Sequence, residues 1–495
     1  MFAVLEEHAM SKITRRSFLE QTLLTAGAGL AAARLLPAAR ADAPTPAPSG
    51  RRSADERVSV AVIGLHARGL SHVTAYAEDQ SVDVVALCDV DEAQFTKPQQ
   101  LLKDHGRTPA KQYQDIRKLL EDKDIQAVSI ATPNHWHALA GIWAMQAGKD
   151  VYVEKPVGHN VSEGRRLEQA RIKYGRVCAA GTQSRSNRAV REAIQFIADG
   201  KIGKVLLSRG LCYKRRDSIG HFDDSTAPAS LNYDIWQGPA PARPFNQNRF
   251  LYNWHWNWAY GNGDLGNQGI HQMDIARWAL SGQTLPISAL SVGGRFGYVD
   301  DGQTPNTQLA FYDYGGPQIL FEVRGLKTKP LNGLMVGNIV YGTEGMVAFG
   351  FNEGAVHLDV NGKLVSKFKG GAMNHFSNFT AAVRSGKQAD LRAPVLEGHY
   401  SSALCHIGNI SYRLGSPESF EAVSKALASN EPMTESFKRF EKHLEDNALQ
   451  LKDLHCQSGP SLSFDPKAEN FGDNGTANAM LTREYRAPFV VPAQV

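Results

Sequence analysis

The chain has 495 residues, 42% of them hydrophobic and 21% charged, with a formal net charge of +4. That length suffices for two domains with substantial cores, and the composition is ordinary for a soluble globular protein. A balance so close to neutral, with no basic run interleaved with aromatics, argues against nucleic acid as a partner.

Residues 1–41 read as an export signal. Thr14-Arg15-Arg16-Ser17-Phe18-Leu19 is a twin-arginine pattern, followed by an Ala/Gly/Leu-rich stretch to Leu36 and a small-residue exit at Ala39-Arg40-Ala41. Arg34 breaks the apolar run, so no stable membrane insertion is expected once the signal is removed. The partner this predicts is the twin-arginine export machinery, and the compartment is the periplasm or beyond. Residues 42–56, with Pro44, Pro46 and Pro48, form a linker. The five cysteines are scattered and odd in number, so neither a disulfide framework nor a metal site is expected.

Residues 57–185 carry a dinucleotide-binding pattern. Arg57 to Gly64 is a β-branched apolar run ending in glycine, a helix-compatible stretch follows from about Ala67 to Ala77, and Val82 to Asp89 is a second strand ending in an acid. Gly64 and Gly69 permit the tight turn that points helix-terminal N–H groups at a pyrophosphate. His66 stands where the fingerprint has its middle glycine, and Arg68 is placed to compensate by charge. Asp89, 20 residues beyond Gly69, would accept hydrogen bonds from a ribose and repel a 2′-phosphate, which favours NAD over NADP. Strands at Ile125–Ala131 and Asp150–Glu154 then flank a helix from about Trp136 to Gly148.

The glycine turn with Asp89, the segment Ala131 to Ala138 (ATPNHWHA) and the segment Val153 to Pro156 (VEKP) together resemble the glucose–fructose oxidoreductase, inositol dehydrogenase and MocA family. The resemblance runs from about Val58 to Gly415. It implies a Rossmann domain followed by an α+β substrate domain. Lys155 would contact the nicotinamide ribose and the reacting hydroxyl. Thr132, Asn134, His137 and Glu154 would line the cofactor site, where Gln183 is also placed. A metal role for His135 and His137 is disfavoured, because no carboxylate at ligand spacing accompanies them.

Residues 186–415 switch to strand-period runs, from Lys204–Tyr213 through Ile287–Phe296, Thr307–Tyr314, Gln318–Val323, Gly337–Tyr341 and Met346–Phe349 to Ala355–Val360. They predict an open, mainly antiparallel sheet with helices on one face, and His375 to Leu414 as two helices returning to the cofactor domain. Between Leu251 and Leu280, Trp254, Trp256 and Trp258 alternate with His255 and Asn257 before a glycine-rich bend. Flat indole faces suit the C–H face of a sugar, so Trp254 and Trp256 are candidate substrate contacts, with Arg185 and Tyr213 as polar ones.

A helix is expected from Asn267, so that Asn267, His271 and Asp274 share one face. Oxidising a carbinol requires a group that takes the hydroxyl proton, and neutral imidazole suits that near pH 7. His271 is the candidate base, with Asn267 or Asp274 orienting it or the substrate. Many relatives carry aspartate where Asn267 stands, which puts a simple inositol-dehydrogenase triad in doubt.

Residues 416–495 form a C-terminal extension whose Tyr485, Phe489, Val490 and Val491 are too apolar for a free tail. They are expected to pack on the protein or on a neighbouring subunit of a homo-oligomer. The reading that follows is an exported NAD(P)-dependent oxidoreductase of a small carbohydrate or polyol, with its cofactor held and recycled. The alternatives are a glycoside hydrolase working by transient oxidation and elimination, and a non-catalytic sugar-binding protein.

Overall fold

The computed structural model describes residues 57–351, 353–371 and 374–495. The expected export signal at 1–41 and linker at 42–56 lie outside the described residues.

The first domain is a six-stranded, all-parallel sheet in the order β3-β2-β1-β4-β5-β6, formed by β1 (Val58–Ile63), β2 (Val82–Cys88), β3 (Lys111–Tyr113), β4 (Ala127–Ile130), β5 (Asp150–Val153) and β6 (Cys178–Ala180). Every residue of β1 is buried, as a β-branched run sandwiched between two helical layers must be. The strand order reverses between β1 and β4, which opens a crevice at their carboxyl ends. Helix α1 (Arg68–Glu78) follows the glycine turn, α2 (Asn134–Gln146) follows β4, and α3 (Val161–Tyr174) packs against α2. Eleven of the thirteen residues of α2 are buried, so its sequence shows almost no polar face.

The second domain is an eleven-stranded mixed sheet. Its path runs β14-β13-β12-β11-β7-β10-β9-β8-β16-β15, with β17 also paired to β8. The strands are β7 (Val205–Tyr213), β8 (Ser288–Gly294), β9 (Thr307–Asp313), β10 (Gln318–Arg324), β11 (Val336–Gly342), β12 (Met346–Gly350), β13 (Gly354–Leu358), β14 (Leu364–Phe368), β15 (Ser416–Glu418), β16 (Cys456–Ser458) and β17 (Leu462–Ser463). All pairings are antiparallel except β7 with β10.

One face buries helices Gly269–Trp278 and Val395–Arg413, the latter also reaching α3 of the first domain. Helices were expected on one face alone. Instead Phe420–Leu427 and Glu431–Asp446 cover the other face, placing Phe420, Val423, Phe437 and Phe440 against Leu309, Phe311 and Leu320. Part of the C-terminal extension is thus built into this sheet. The final residues run back to the first domain, where Phe489 and Val491 join the core beside Trp136. All five cysteines are buried and free. Among the described residues no helix is long and apolar enough to cross a membrane.

Candidate active site

A cavity of about 400 Å³ opens at the carboxyl ends of β1, β2, β4 and β5, and residues 235–271 of the second domain close it from above. Gly64 has φ +83°, and a Cβ there would stand 2.8 Å from the carbonyl of Ala131. A Cβ on Gly69 would lie 1.7 Å from the oxygen of Gly64, so the turn has no room for side chains at either position. Ala67 precedes α1 and supplies no side-chain cap, which leaves first-turn N–H groups available to an anion. His66 is exposed at the turn. The Asp89 carboxylate accepts from the N–H groups of Leu65 (2.7 Å) and Asp91 (3.0 Å), while burial pushes its pKa up to about 6. Thr132 lines the cavity with its buried hydroxyl unpartnered. A glycine cradle, an acid at the end of β2 and an orphaned hydroxyl fit a dinucleotide.

Charges then form a chain along the floor. Arg68 donates from Nε to Glu154 Oε1 (2.7 Å) and from Nη2 to Gln183 (3.1 Å), and His72 Nε2 lies 3.1 Å from the same carboxylate. Burial alone would raise Glu154, but Arg68 and His72 beside it hold its carboxyl well below the usual range. Lys155 donates from Nζ to the main-chain oxygen of Asn267 at 3.0 Å. Burial, aided by Arg68 and Lys214 and opposed by Glu154, lowers the Lys155 pKa to about 8.

His271 lines the same cavity, and its buried Nδ1 has no hydrogen-bond partner. Burial and the charge of Lys155 push its pKa well below the usual value, so it is a neutral imidazole at pH 7. Asn134 and His137 also line the cavity, with partners already assigned. Asn134 Nδ2 donates to Asn262 Oδ1 (2.8 Å), and the His137 ring nitrogens face the carbonyls of Pro156 (2.6 Å) and Thr132 (2.7 Å). His137 therefore braces the two loops that carry the site.

Several expected contacts lie elsewhere. Asn267 is not on the helix of His271: the backbone turns there (φ −92°, ψ −85°) between Gly263–Gly266 and Gly269–Trp278. Its carbonyl positions Lys155, while its side chain donates to the Tyr252 hydroxyl at 3.3 Å. Asp274 is turned away from His271, because Arg185 takes its carboxylate in two parallel hydrogen bonds and Ser401 adds a third. Arg185 also meets Glu397, so both members of the pair are consumed in a buried network outside the cavity. Tyr213 donates to Glu322 at 2.7 Å within a buried cluster that includes Arg209, Arg324 and Arg439.

Asn253–Trp256 is a 3-10 turn that sends the three tryptophans in different directions. Trp254 lines the cavity, stacked on His255 at 3.6 Å between ring centroids. Trp256 is buried under the Arg216 guanidinium. Trp258 faces a separate cavity.

Tyr252 and His255 also line the site and were not singled out as candidates from the sequence. His255 Nδ1 lies 2.6 Å from the carbonyl of Tyr252, and burial lowers its pKa to about 3, so this second imidazole is neutral too. Its alternation with tryptophan was the available signal.

Comparison with known proteins agrees with this fold. A family model described as "Oxidoreductase family, NAD-binding Rossmann fold" matches residues 58–182, and its companion, "Oxidoreductase family, C-terminal alpha/beta domain", matches 218–442. The chain is 29% identical over 215 residues to a glycosyl hydrolase family 109 protein of Saccharopolyspora erythraea, covering 41% of this chain and 47% of that one. It is 30% identical over 169 residues to an inositol 2-dehydrogenase of Salmonella typhimurium, covering 34% and 46%. The matched region thus spans just under half the length of these curated relatives.

Among solved structures, the WlbA dehydrogenase of Bordetella pertussis, in complex with NADH and UDP-GlcNAcA, superposes with a TM-score of 0.52 at 20% identity, over 71% of this chain and 95% of that one. A levoglucosan dehydrogenase, in complex with NADH and levoglucosan, gives 0.54 at 18%, over 71% and 96%. Both carry the same fold. With the two family models matched in chain order across the two domains that enclose the cavity, the chain belongs to the glucose–fructose oxidoreductase, inositol dehydrogenase and MocA (Gfo/Idh/MocA) oxidoreductase family.

Proposed function

We propose that the protein oxidises a CH–OH group of a small carbohydrate or polyol with bound NAD, using Lys155 and His271. The observation that carries this reading is that a depressed lysine and an unpartnered neutral imidazole line one cavity with the glycine turn. Gly64, Gly69, Asp89 and Thr132 would hold the dinucleotide, which when bound supplies the hydride acceptor. His271 takes the hydroxyl proton at its free nitrogen. The Lys155 ammonium, fixed by the Asn267 carbonyl, stabilises the oxyanion that develops on the substrate. Trp254 offers a flat wall to the ring. Asp89 supports NAD over NADP, because a carboxylate at that place repels a 2′-phosphate.

The twin-arginine pattern supports export through residues 1–41. An exported enzyme works apart from the cytoplasmic dinucleotide pool, so the cycle is redox-neutral: one sugar is oxidised, and the same or a second sugar is reduced. The likeness to a glycosyl hydrolase family 109 protein supports a second version, in which transient oxidation makes a neighbouring C–H acidic, loss of that proton expels the aglycone, water adds to the resulting double bond, and the hydride is returned to the sugar. His255 or His271 would then take the carbon-bound proton.

Incubating the purified protein with free sugars and with aryl glycosides, without added cofactor, separates these versions. Paired lactone and alditol support oxidoreduction, and aglycone release supports the hydrolase. No turnover in either set, with nucleotide present by mass spectrometry of released ligand, refutes the catalytic reading.

A further inference from the structure

A second cavity, of about 380 Å³, lies between the helix Val395–Arg413 and the C-terminal segment 479–484, and none of its lining residues is shared with the first. Arg243, Arg413 and Arg483 line it, with Glu484 as the sole lining carboxylate, and that side chain is exposed. Arg243 and Arg413 make no ion pair with a described residue. The Arg413 guanidinium lies 5.1 Å over the Trp258 ring, which holds it at the cavity wall.

Arg483 donates from Nη1 to the Ala259 carbonyl, and its Nε stands 3.8 Å from the buried Glu163. Its Nε and Nη2 are nevertheless buried with no hydrogen-bond partner, as is Nε2 of His159 in the same cavity. Buried polar atoms without partners are costly, so several in one cavity mark a place built for a ligand that supplies them. Guanidinium groups match carboxylate, sulfate and phosphate oxygens, and a cavity of this size exceeds the needs of an inorganic ion.

We infer that this cavity is a second ligand site, selective for a small molecule carrying an anionic group, with an acidic or phosphorylated sugar as the class that fits. Asn262 is the wall between the two sites. Its Oδ1 accepts from Asn134 at the dinucleotide cavity, and its Nδ2 donates to the carbonyl of His159 at the second. The inference does not depend on the proposed reaction.

The test is calorimetric titration of the full chain with glucuronate, glucose 6-phosphate, inorganic sulfate and neutral glucose, at constant ionic strength. We expect saturable one-to-one binding of at least one sugar anion, at least tenfold tighter than sulfate or glucose. The Arg243→Gln/Arg413→Gln double variant should weaken it at least tenfold, and both positions are exposed, so folding is retained. Lys155→Met should leave it unchanged. Absence of saturable binding, sulfate bound as tightly as the sugar anions, equal binding of glucose, or equal affinity in the double variant would each overturn the assignment. So would loss of binding in Lys155→Met, which would place the ligand in the first cavity.

Discussion

Glu154→Gln should move the alkaline limb of the activity profile downward, and Lys214→Gln should move it upward. The ammonium of Lys155 is destabilised by burial, by Arg68 and by Lys214, and Glu154 is the largest influence in its favour, which together leave a pKa of about 8. Removing a nearby anion makes the cation less stable, so the pKa falls and the ammonium is lost at lower pH. An opposite charge in contact is worth about 1–3 pKa units, each about 1.4 kcal/mol. With a shift of about one unit, the charged fraction at pH 8 falls from about a half to about a tenth, roughly fivefold, while at pH 6 it changes little. Lys214 is exposed and screened, so its removal should raise the limb by only a few tenths of a unit. The assay is kcat/KM for sugar or polyol oxidation from pH 6 to 10, with thermal melts to confirm folding, since Arg68 and His72 also lose a partner in Glu154→Gln. Should both variants shift the limb the same way, or activity rise rather than fall above pH 8, Lys155 does not act as an ammonium.

Asp274→Asn leaves Arg185 buried with only Glu397 as a charged partner. It should lower unfolding free energy by about 3 kcal/mol, toward the low end for a broken buried pair, with no change in sugar KM. A raised KM with unaltered urea unfolding would instead return Asp274 to the substrate site. Gly64→Ala forces φ +83° on a residue with a Cβ and drives that carbon against the backbone of Ala131 and Thr132. About 1–3 kcal/mol of strain should appear in denaturant titration, together with loss of co-purifying nucleotide. Asp89→Ser removes the carboxylate that repels a 2′-phosphate. The ratio of NADP to NAD dissociation constants, read by fluorescence titration, should fall at least tenfold, and an unchanged ratio would separate Asp89 from cofactor choice.

The first domain was legible because its signals are local. A buried β-branched run, a glycine and a helix must follow one another within a few residues, and β1, α1 and β2 fall within a residue or two of their expected positions. The strands from 205 to 358 were legible by period for the same reason. β3 was not, because two exposed residues and a half-buried one have no period to read, and β15 to β17 are short pieces that exist by pairing with β8 or with each other. The second covered face of the sheet escaped because helix Glu431–Asp446 looks polar overall. Its apolar stripe of Met433, Phe437, Phe440 and Leu444 acquires meaning only against the sheet.

For the site, the sequence reading pointed to Lys155 through the VEKP resemblance and to His271 through helix spacing, and both line one cavity, since each sits at the start of a loop or helix whose placement the fold dictates. It misassigned Arg185, Asp274 and Tyr213, whose charged or hydroxyl groups look like ligand contacts in isolation. What decides their role is the partner, and those partners lie far along the chain: Asp274 for Arg185, Ser401 for Asp274, Glu322 for Tyr213. A buried polar group that finds such a partner is withdrawn from chemistry, because using it would mean breaking a bond whose loss leaves a charge or donor uncompensated. Donors and acceptors left without partners are available to a ligand only where they border a cavity, since Ser208, Tyr314 and His443 also hold unpartnered buried atoms yet line neither one. By that criterion His271 and Thr132 stay with the dinucleotide cavity, and His159 and Arg483 point to a separate one.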